Sequence, residues 1–455
     1  MRNGDVSFWQ YQLGPAPRRP SLTGTDSVDV CIVGGGYTGL WTAYYLAKAE
    51  PGLRVAVVEA RFCGFGASGR NGGWLTSALP GSAARYAKDR DRPAALAMQR
   101  HMIGAVDEVI RVSASEEIDA DIDRAGQLSV AVNAAQAARL EELHGQEREW
   151  GVTDAVMRSA AETDGIVRVA GVRASRWWPH CARLHPAKLV RGLADAVERA
   201  GVTVYEASPV REMDGRTVRT DRGQVRADVV VRATEGFTAR LPRLRRTWLP
   251  MNSSMIVTEP LPGAVWASIG WHRPVALGDQ AHAYMYAQRT ADGRIALGGR
   301  GVPYRYGSHT DLDGRVQPRA VRELTAVLHR YFPATANARI DHAWAGVLGV
   351  PRDWCAVVGI DPDRGTAWAG GYTGHGVASA NLAGRTLRDL ILGRDTELTG
   401  LPWVGRTARA WEPEPLRWLG VRALYAVYRT ADRIERRGGG TSVLAKVADQ
   451  VSGRS

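Results

Sequence analysis

The chain has 455 residues, 45% hydrophobic and 23% charged, as expected of a globular protein with two or three domains. Its net charge is +12, and nearly all of the positively charged residues are arginines. No basic stripe is interleaved with aromatic residues, which argues against a nucleic-acid-binding role. Four cysteines without a CxxC pair argue against zinc or a disulfide framework, and we expect no metal. No apolar run is long enough to span a membrane, and the N-terminal residues lack the apolar core of a secretory signal, so we expect a cytoplasmic protein.

Residues 1–27 are predicted to form an irregular arm, because Pro15, Pro17 and Pro20 oppose a helix. The next segment has the order of a dinucleotide-binding βαβ unit. A strand at Val30–Val33 leads into Gly34-x-Gly36-x-x-Gly39, and a helical pattern runs to Pro51. The three glycines allow a tight turn, an approach of backbone to a pyrophosphate, and close helix–strand packing.

A second strand, Val55–Val58, ends at Glu59, where a carboxylate accepts hydrogen bonds from an adenosine ribose. Cys63 follows in the same loop. A redox or flavin-contacting role for Cys63 is one interpretation, and simple packing is the other. A second glycine-rich loop, Gly66–Gly73, comes next, and a unit that binds only NAD has no need of it.

The remaining elements alternate between two types. Helices are predicted at 85–111 and 135–150 around a strand near 126–132, then a helix at 186–200 and a buried strand at 228–236. Residues 248–345 have the short alternating runs of an antiparallel sheet, and 353–400 return to strand, glycine turn and helix. The predicted fold class is α/β + β, with a Rossmann-type doubly wound βαβ domain interrupted by a mixed or antiparallel-sheet domain. The boundaries are 1–27 for the arm; 28–80, 183–247 and 346–400 for the cofactor domain; 81–182 and 248–345 for the substrate domain; and 401–455 for a helical tail.

Four segments resemble one family in the same order. GASGRNGG (66–73) resembles the loop under the flavin in the D-amino-acid oxidase, glycine oxidase and sarcosine oxidase superfamily, above all the branch that contains γ-glutamylputrescine oxidase. The segments 183–210, VVVRATEGFTARL (229–241) and 367–393 are similar to its later helix, its ATxAY-type turn and its closing glycine turn and helix. The resemblance covers about residues 28–400 and implies bound FAD.

The resemblance implies oxidation of a C–N bond by hydride transfer to flavin N5, giving an imine that water hydrolyses, with reoxidation by oxygen or another acceptor. The turn at 371–376 precedes a helix at 377–392, whose N–H groups are then able to face the flavin. The residues expected to hold FAD are Gly34, Gly36, Tyr37, Thr38, Gly39, Glu59, Ala60, Arg61, Gly66, Ala67, Ser68, Arg70, Asn71, Gly72, Gly73, Trp74, Val210, Ala233, Thr234, Gly236, Trp344, Gly346, Gly371, Tyr372, Thr373, Gly374, His375 and Gly376.

Two departures from the family narrow the expected chemistry. Relatives that oxidise glycine or D-amino acids carry an arginine shortly after the histidine of the late GH motif, whereas here the next arginine after His375 is Arg385. This favours an amine, or an amino acid held differently, over a simple D-amino acid. The turn at 371–376 (the late turn) has no cysteine. Arg70 occupies the position of the histidine that some relatives attach to FAD, so we expect non-covalent FAD. Oxidase and dehydrogenase activity both remain open.

The substrate contacts are expected from the sheet domain. Tyr284 and Tyr286 alternate onto one strand face that His282 shares, although such a face also suits core packing. Arg300 is a candidate for an anionic substrate group or a surface arginine, and Trp344 walls the flavin or fills core. His375 is the best single candidate for the active site, the alternative being a turn histidine.

The C-terminal segment 416–436 is predicted to be an amphipathic helix, with Leu416, Leu419, Ala423 and Val427 on one stripe. Docking of this stripe on the protein is the default interpretation, and peripheral membrane contact is the alternative. Rival functions are a glycine- or D-amino-acid-type oxidase, a quinone-linked dehydrogenase of the same fold, an NAD-linked dehydrogenase, and a non-catalytic FAD- or RNA-binding protein.

Overall fold

A computed structural model describes residues 1–299 and 304–452. The helices are α1 Phe8–Leu13, α2 Tyr37–Ala49, α3 Ala83–Asp89, α4 Arg92–Ser115, α5 Ala134–Glu149, α6 Ala160–Asp164, α7 Pro186–Arg199, α8 Gly263–Ile269, α9 Pro318–Tyr331, α10 Gly376–Ile391, α11 Leu416–Arg436 and α12 Val443–Ser452. The strands are β1 Arg2–Asn3, β2 Gly24–Val33, β3 Val55–Val58, β4 Trp74–Thr76, β5 Gln127–Ala131, β6 Val156–Ser159, β7 Ala174–Trp178, β8 Cys181–Arg183, β9 Thr203–Tyr205, β10 Val210–Asp214, β11 Thr217–Thr220, β12 Gly223–Arg232, β13 Leu249–Thr258, β14 Ala276–Asp279, β15 Met285–Arg289, β16 Ile295–Gly299, β17 Ile340–Val350, β18 Val357–Asp361 and β19 Thr366–Gly370.

One sheet has eight strands, in the order β10-β11-β12-β2-β3-β9, with β19 beside β12 and β18 beside β19. The strands β19, β12, β2, β3 and β9 run parallel, and Val30 of β2 is in register with Val55 and Val229. Because parallel strands end at the same edge, the ends of β2, β3 and β12 meet there.

The side chains of this sheet alternate between two cores. Val30 and Ile32 pack with the helices α2, α4, α7 and α10, whereas Cys31 and Val33 pack with the hairpin side chains Val218 and Val225. The strand period of two therefore divides even the fully apolar run 30–33 between two layers.

The other sheet has nine strands, in the order β1-β17-β13-β16-β15-β14-β5-β7-β6. It combines strands from 127–178 with strands from 249–350. The sequence boundary between residues 345 and 346 falls inside β17, which runs without interruption to Val350. Gly346, predicted to hold the cofactor, lies within β17 beside Arg70, whose Cβ would be 3.4 Å from a Cβ added to Gly346.

The N-terminal arm is not wholly irregular, because it contains α1. Ser7 caps this helix by accepting a hydrogen bond from the Gln10 N–H, and Phe8 and Trp9 are buried. The three prolines that argued against a helix all follow its end. The predicted helix 85–111 is divided into α3 and α4, since Asp91 caps a new helix with Pro93 in its first turn.

The C-terminal helix docks through a different face from the one predicted. Leu416 and Leu419 are 61% and 51% exposed, whereas Val421, Tyr425 and Tyr428 are buried. The prediction of the docking stripe was wrong because ion pairs, not apolar residues alone, select the inner face.

The ion pairs centre on Glu435, which is 1% exposed and accepts two hydrogen bonds from Arg139, at 2.8 and 2.7 Å. His282 lies 3.0 Å from the same carboxylate, and Asp432 accepts the His282 backbone N–H at 2.8 Å. A ring nitrogen of His282 and carboxylate oxygens of Asp432 and Glu435 lie within 4.8 Å of one another. The Arg139 guanidinium supplies a positive charge to this cluster through its ion pair with Glu435. Among the described residues, no helix is both long and apolar enough to cross a bilayer.

Candidate cofactor and active site

The site begins in the crevice where β2, β3 and β12 end. Gly34 follows β2, and its N–H donates to the carbonyl of Val58 at the end of β3. The Ala233 N–H, just after β12, donates to the carbonyl of Val33. The ends of three strands thus join at the topological switch point, where open α/β sheets bind ligands.

The first glycine-rich loop, residues 34–39, requires glycine at two positions; it is called the first loop. Gly34 has φ +115°, and a Cβ there would lie 2.5 Å from the Ala233 carbonyl oxygen. A Cβ on Gly39 would lie 2.0 Å from the Gly34 oxygen. Gly36 differs, since its φ is −88° and an added Cβ would meet only the Ser68 side chain, at 3.0 Å. Gly36 therefore leaves a gap in front of α2 that a Cβ would begin to fill.

Glu59 lies beside this gap. Its carboxylate accepts hydrogen bonds from the N–H groups of Gly35 and Arg61, at 2.7 and 2.9 Å. Burial raises the pKa of Glu59, and these bonds to backbone oppose the rise. The Ser208 N–H donates to the Glu59 carbonyl, which brings the segment before Val210 to the same edge.

Cys63 is a buried thiol in this loop. Burial raises its pKa well above the usual value, and the Glu59 and Glu206 carboxylates raise it further. Because the thiolate is the reactive form, this surrounding favours the packing interpretation of Cys63 over a redox role.

The second glycine-rich loop is held through its carbonyl groups. The Ser68 hydroxyl accepts the first N–H of α2, from Tyr37, at 2.8 Å, and so places the loop beside the first one. Donors from several elements bind the loop's carbonyls: Gln10 to Gly64, Ser7 to Gly69, Trp344 to Arg70, Trp9 to Asn71, Gln288 to Gly72, and the Leu184 N–H to Gly73. The path of the backbone is thus fixed on the side away from the crevice.

The Arg70 side chain stabilises the second loop and the segments that pack against it. Its guanidinium donates to the carbonyls of Phe65, Leu312 and Ala345, and burial lowers its pKa to about 10. Trp344 is fully buried among Phe8, Trp9 and His342, which favours the core-filling interpretation of this residue. Both side chains anchor the loop; neither is aimed into the crevice.

The late turn is fixed by Glu235, which was not among the residues predicted from the sequence, although Thr234 and Gly236 on either side of it were. Its carboxylate accepts hydrogen bonds from the N–H groups of Gly349 and Tyr372, at 2.7 and 3.1 Å, with Gly371 also contributing. Burial raises the pKa of Glu235 to about 7, against the effect of these bonds. The sequence signal for Glu235 is an acidic residue in a turn of small residues that directly follows a buried strand.

The same turn contacts α2, because the hydroxyls of Tyr372 and Thr38 lie 3.0 Å apart. Gly371 and Gly374 have φ of +77° and +118°, and Thr373 shares this left-handed region at +56°. His375 is half-buried and immediately precedes α10, whose N-terminus therefore opens at the turn.

The nine-stranded sheet brings Tyr286 to the second loop. Its ring occupies space left by two glycines, since a Cβ on Gly72 or Gly298 would approach the ring to 2.7 or 2.2 Å. Its hydroxyl lies 2.8 Å from that of Ser253. Tyr284 precedes β15, and the structure does not place His282 on the Tyr286 face as predicted, because the His282 ring is bound to Glu435 at α11. Arg300 lies outside the described residues.

Most of the predicted cofactor residues lie along this one crevice. The first loop, the second loop, the end of β12 and the late turn contact one another through the pairs already described, and Gly236 lies against Val347 and Leu348 of β17. The gap at Gly36, the N-terminus of α2 and the acceptor Glu59 fit a pyrophosphate joined to a ribose. Fold and site together define a dinucleotide-binding oxidoreductase with a second, larger sheet over the crevice.

Comparisons with known proteins agree with this class. Residues 29–390 match the family model described as DAO, FAD dependent oxidoreductase. Gamma-glutamylputrescine oxidoreductase of Escherichia coli K12 is 32% identical over 393 residues, covering 82% of this chain and 85% of the relative. The fold is similar to that of L-proline dehydrogenase from P. horikoshii (TM-score 0.69, 21% identity, 83% and 98% covered) and of glycine oxidase from Geobacillus kaustophilus (TM-score 0.68, 22% identity, 82% and 96% covered). The chain belongs to the DAO family of FAD-dependent oxidoreductases.

Substitution of Gly36 tests the position of the pyrophosphate. We expect Gly36→Val to lose FAD while the protein remains folded, because the φ suits any residue and the added side chain fills only the gap beside Ser68. The ratio of flavin to protein absorbance and the circular dichroism spectrum measure the two effects. Gly52→Val, at the other end of the same helix with open space around it, is the matched control. Normal flavin content in Gly36→Val would contradict the assignment.

The raised pKa of Glu235 predicts a pH dependence. Because the folded-state pKa of about 7 exceeds the ordinary 4.5, its stabilising contribution is complete below about pH 4.5 and is lost as the pH rises through 7. Relative to Glu235→Gln, the free energy of unfolding of the flavin-free wild type should fall by roughly 3 kcal/mol over this range. Denaturant unfolding at several pH values measures it, with Glu323→Gln as the surface control. Parallel pH profiles for wild type and Glu235→Gln would refute the prediction.

Proposed function

We propose that the protein oxidises the carbon–nitrogen bond of an amine. The observation that carries this proposal is the make-up of the late turn, which presents His375 at the start of α10 and has no arginine or lysine between Gly371 and Val377. Arg385, the next arginine along the chain, acts electrostatically on Tyr45 and Glu108, on the side of α10 that faces α2 and α4. The related gamma-glutamylputrescine oxidoreductase, by its name, acts on a putrescine derivative, and this supports an amine substrate.

FAD, when bound, supplies the hydride acceptor, and the electrons then pass to oxygen or another acceptor. We propose that the eight-stranded sheet and its loops hold FAD and that the nine-stranded sheet forms the substrate side. Gly36 and the start of α2 would meet the pyrophosphate, and Glu59 the ribose. A cavity of about 620 Å³ beside Arg61 and Ala207, lined also by residues 14–19, suits the adenine end.

The protein's own groups have the tasks of orientation and exclusion of water. Tyr286, held by Ser253 and by the two glycines, offers an aromatic face next to Gly72. His375 stands where the late turn meets α10, and its carbonyl is fixed by the Ser379 hydroxyl at 2.8 Å. The aromatic face of Tyr286 and the fixed position of His375 favour an amine held in one pose, which is the main requirement of a hydride transfer.

The attachment of FAD is expected to be non-covalent. Arg70 is bound to three carbonyls, and the Cys63 thiol is buried with a raised pKa, so neither offers a nucleophile. We expect acid precipitation to release all of the flavin into the supernatant. A yellow pellet, with added mass on the peptide that contains Cys63, would show covalent attachment.

The substrate class is testable by anaerobic flavin bleaching. Loss of a bidentate arginine–carboxylate pair, worth about 1.5–3 kcal/mol, should weaken glycine or D-alanine by about tenfold or more. We therefore expect a secondary or ω-substituted primary amine to reduce the flavin faster than any simple D-amino acid. Faster bleaching by glycine or D-alanine than by every amine would contradict the proposal and make Arg300 the first residue to substitute.

In the same assay, His375→Ala should slow flavin reduction by about tenfold or more while leaving FAD bound, because it removes an orienting group. His272→Ala, in an exposed loop, is the matched control. An unchanged rate in His375→Ala would remove this residue from the active site.

A further inference from the structure

The helices α11 and α12 present an apolar surface that the rest of the described protein does not cover. On α11, Leu416, Leu419 and Ile434 are 61%, 51% and 49% exposed. Leu416, Leu419 and Ala423 recur at helical spacing, and Ile434 lies three turns further along the same side, so the stripe spans about 27 Å, with the partly buried Val427 in its middle. This stripe lies away from the buried face that carries Val421, Tyr425 and Tyr428.

The helix α12 adds a second apolar strip. Its inner residues Ala445 and Ala448 are buried in the cluster formed with α11, whereas Val443, Leu444 and Val447 are 74%, 67% and 50% exposed. These two helices hold six of the ten exposed large hydrophobic side chains among the described residues. Such a concentration marks a contact surface rather than scattered surface residues.

The exposed charged residues of α11 are all arginines, and Glu323 of α9 lies 3.8 Å from Arg429. Both acids of α11, Asp432 and Glu435, are turned inwards to His282 and Arg139. The exposed arginines Arg422 and Arg433 flank the apolar stripe on one side, and Lys446 is exposed on α12. At the start of α11, the Trp418 ring lies edge-on to Tyr306 at 6.0 Å and carries Arg422 at 4.9 Å from its centroid.

We propose that α11 and α12 bind the surface of an anionic phospholipid bilayer, lying in its plane. An apolar stripe with arginines along its border and tryptophan and tyrosine at one end is the pattern of an interfacial helix. A second copy of the chain fits less well, because a two-fold contact would bring the same arginines towards one another. The inward pairing of the acids is what leaves the outer face free to approach anionic headgroups.

Co-sedimentation of the flavoprotein with phospholipid vesicles tests the proposal. We expect binding to phosphatidylcholine vesicles that contain phosphatidylglycerol, weaker binding to phosphatidylcholine alone, and a decrease at high salt. The triple substitution Leu416→Ser, Leu419→Ser and Ile434→Ser should lower the bound fraction by about tenfold or more. Val156→Ser, an exposed valine of β6, is the matched control and should bind as the wild type does.

A charge variant separates the two contributions. Arg422→Glu with Arg433→Glu should weaken binding to the anionic vesicles by about tenfold or more and leave binding to phosphatidylcholine alone unchanged. Arg219→Glu with Arg364→Glu, exposed on the eight-stranded sheet, is its control. Flavin absorbance and the rate of flavin reduction should be unchanged in all variants, so a failure here is distinct from a failure of the proposed activity.

Three results would overturn the proposal. The wild type would remain in the supernatant with anionic vesicles at low salt. Alternatively, the triple serine variant would bind as tightly as the wild type. In the third case, light scattering would show a dimer that the serine variant cannot form, while no variant differed on vesicles, and this would assign the surface to a second copy.

Discussion

The site depends on how the backbone of residues 64–73 is held. The carbonyl groups of this loop are directed into the protein, and each buried carbonyl needs a donor. The donors come from parts of the chain that are far apart in sequence: Ser7, Trp9 and Gln10 at α1, Leu184 before α7, Gln288 on β15, and Trp344 on β17. One loop thus joins the N-terminal helix to both sheets, and the crevice keeps its shape only while all of them are in place.

Buried charge fixes the opposite wall of the crevice in a similar way. An isolated carboxylate would be costly there, but three backbone N–H groups from β17 and the late turn solvate Glu235. Arg232, whose pKa burial lowers to about 10, lies near Glu235 and above the Trp248 ring. The position of the turn that carries His375 is therefore coupled to a group that changes charge near neutral pH.

The sequence predicted what local spacing controls. Strand, glycines, helix and acid in residues 28–60 have short-range causes, and the left-handed φ of Gly34 is one of them. It did not predict which face of α11 is buried, because Asp432 and Glu435 are drawn inwards by His282 and Arg139, about 150 and 296 residues away. The sequence likewise did not predict α1, because this six-residue helix is stabilised by the packing of Phe8 and Trp9 and is too short to show a helical repeat of apolar residues. Glu235 was missed for the same reason, as its partners lie more than 100 residues away.

The way in which the described arginines near the crevice are engaged supports the proposal of an amine rather than an acid substrate. Arg70 is bound to three carbonyls, Arg232 lies over Trp248, and Arg385 acts on Tyr45 and Glu108, so the chain uses each for its own structure. Two described groups of the nine-stranded sheet near Gly72 are uncharged: the ring of Tyr286, seated between Gly72 and Gly298, and the hydroxyl of Ser253. A neutral wall discriminates by shape and by single hydrogen bonds, and it imposes little desolvation cost on an uncharged amine. For the proposed amine substrate, the uncharged form is also the form whose C–H bond yields a hydride, so binding and reactivity would select the same protonation state.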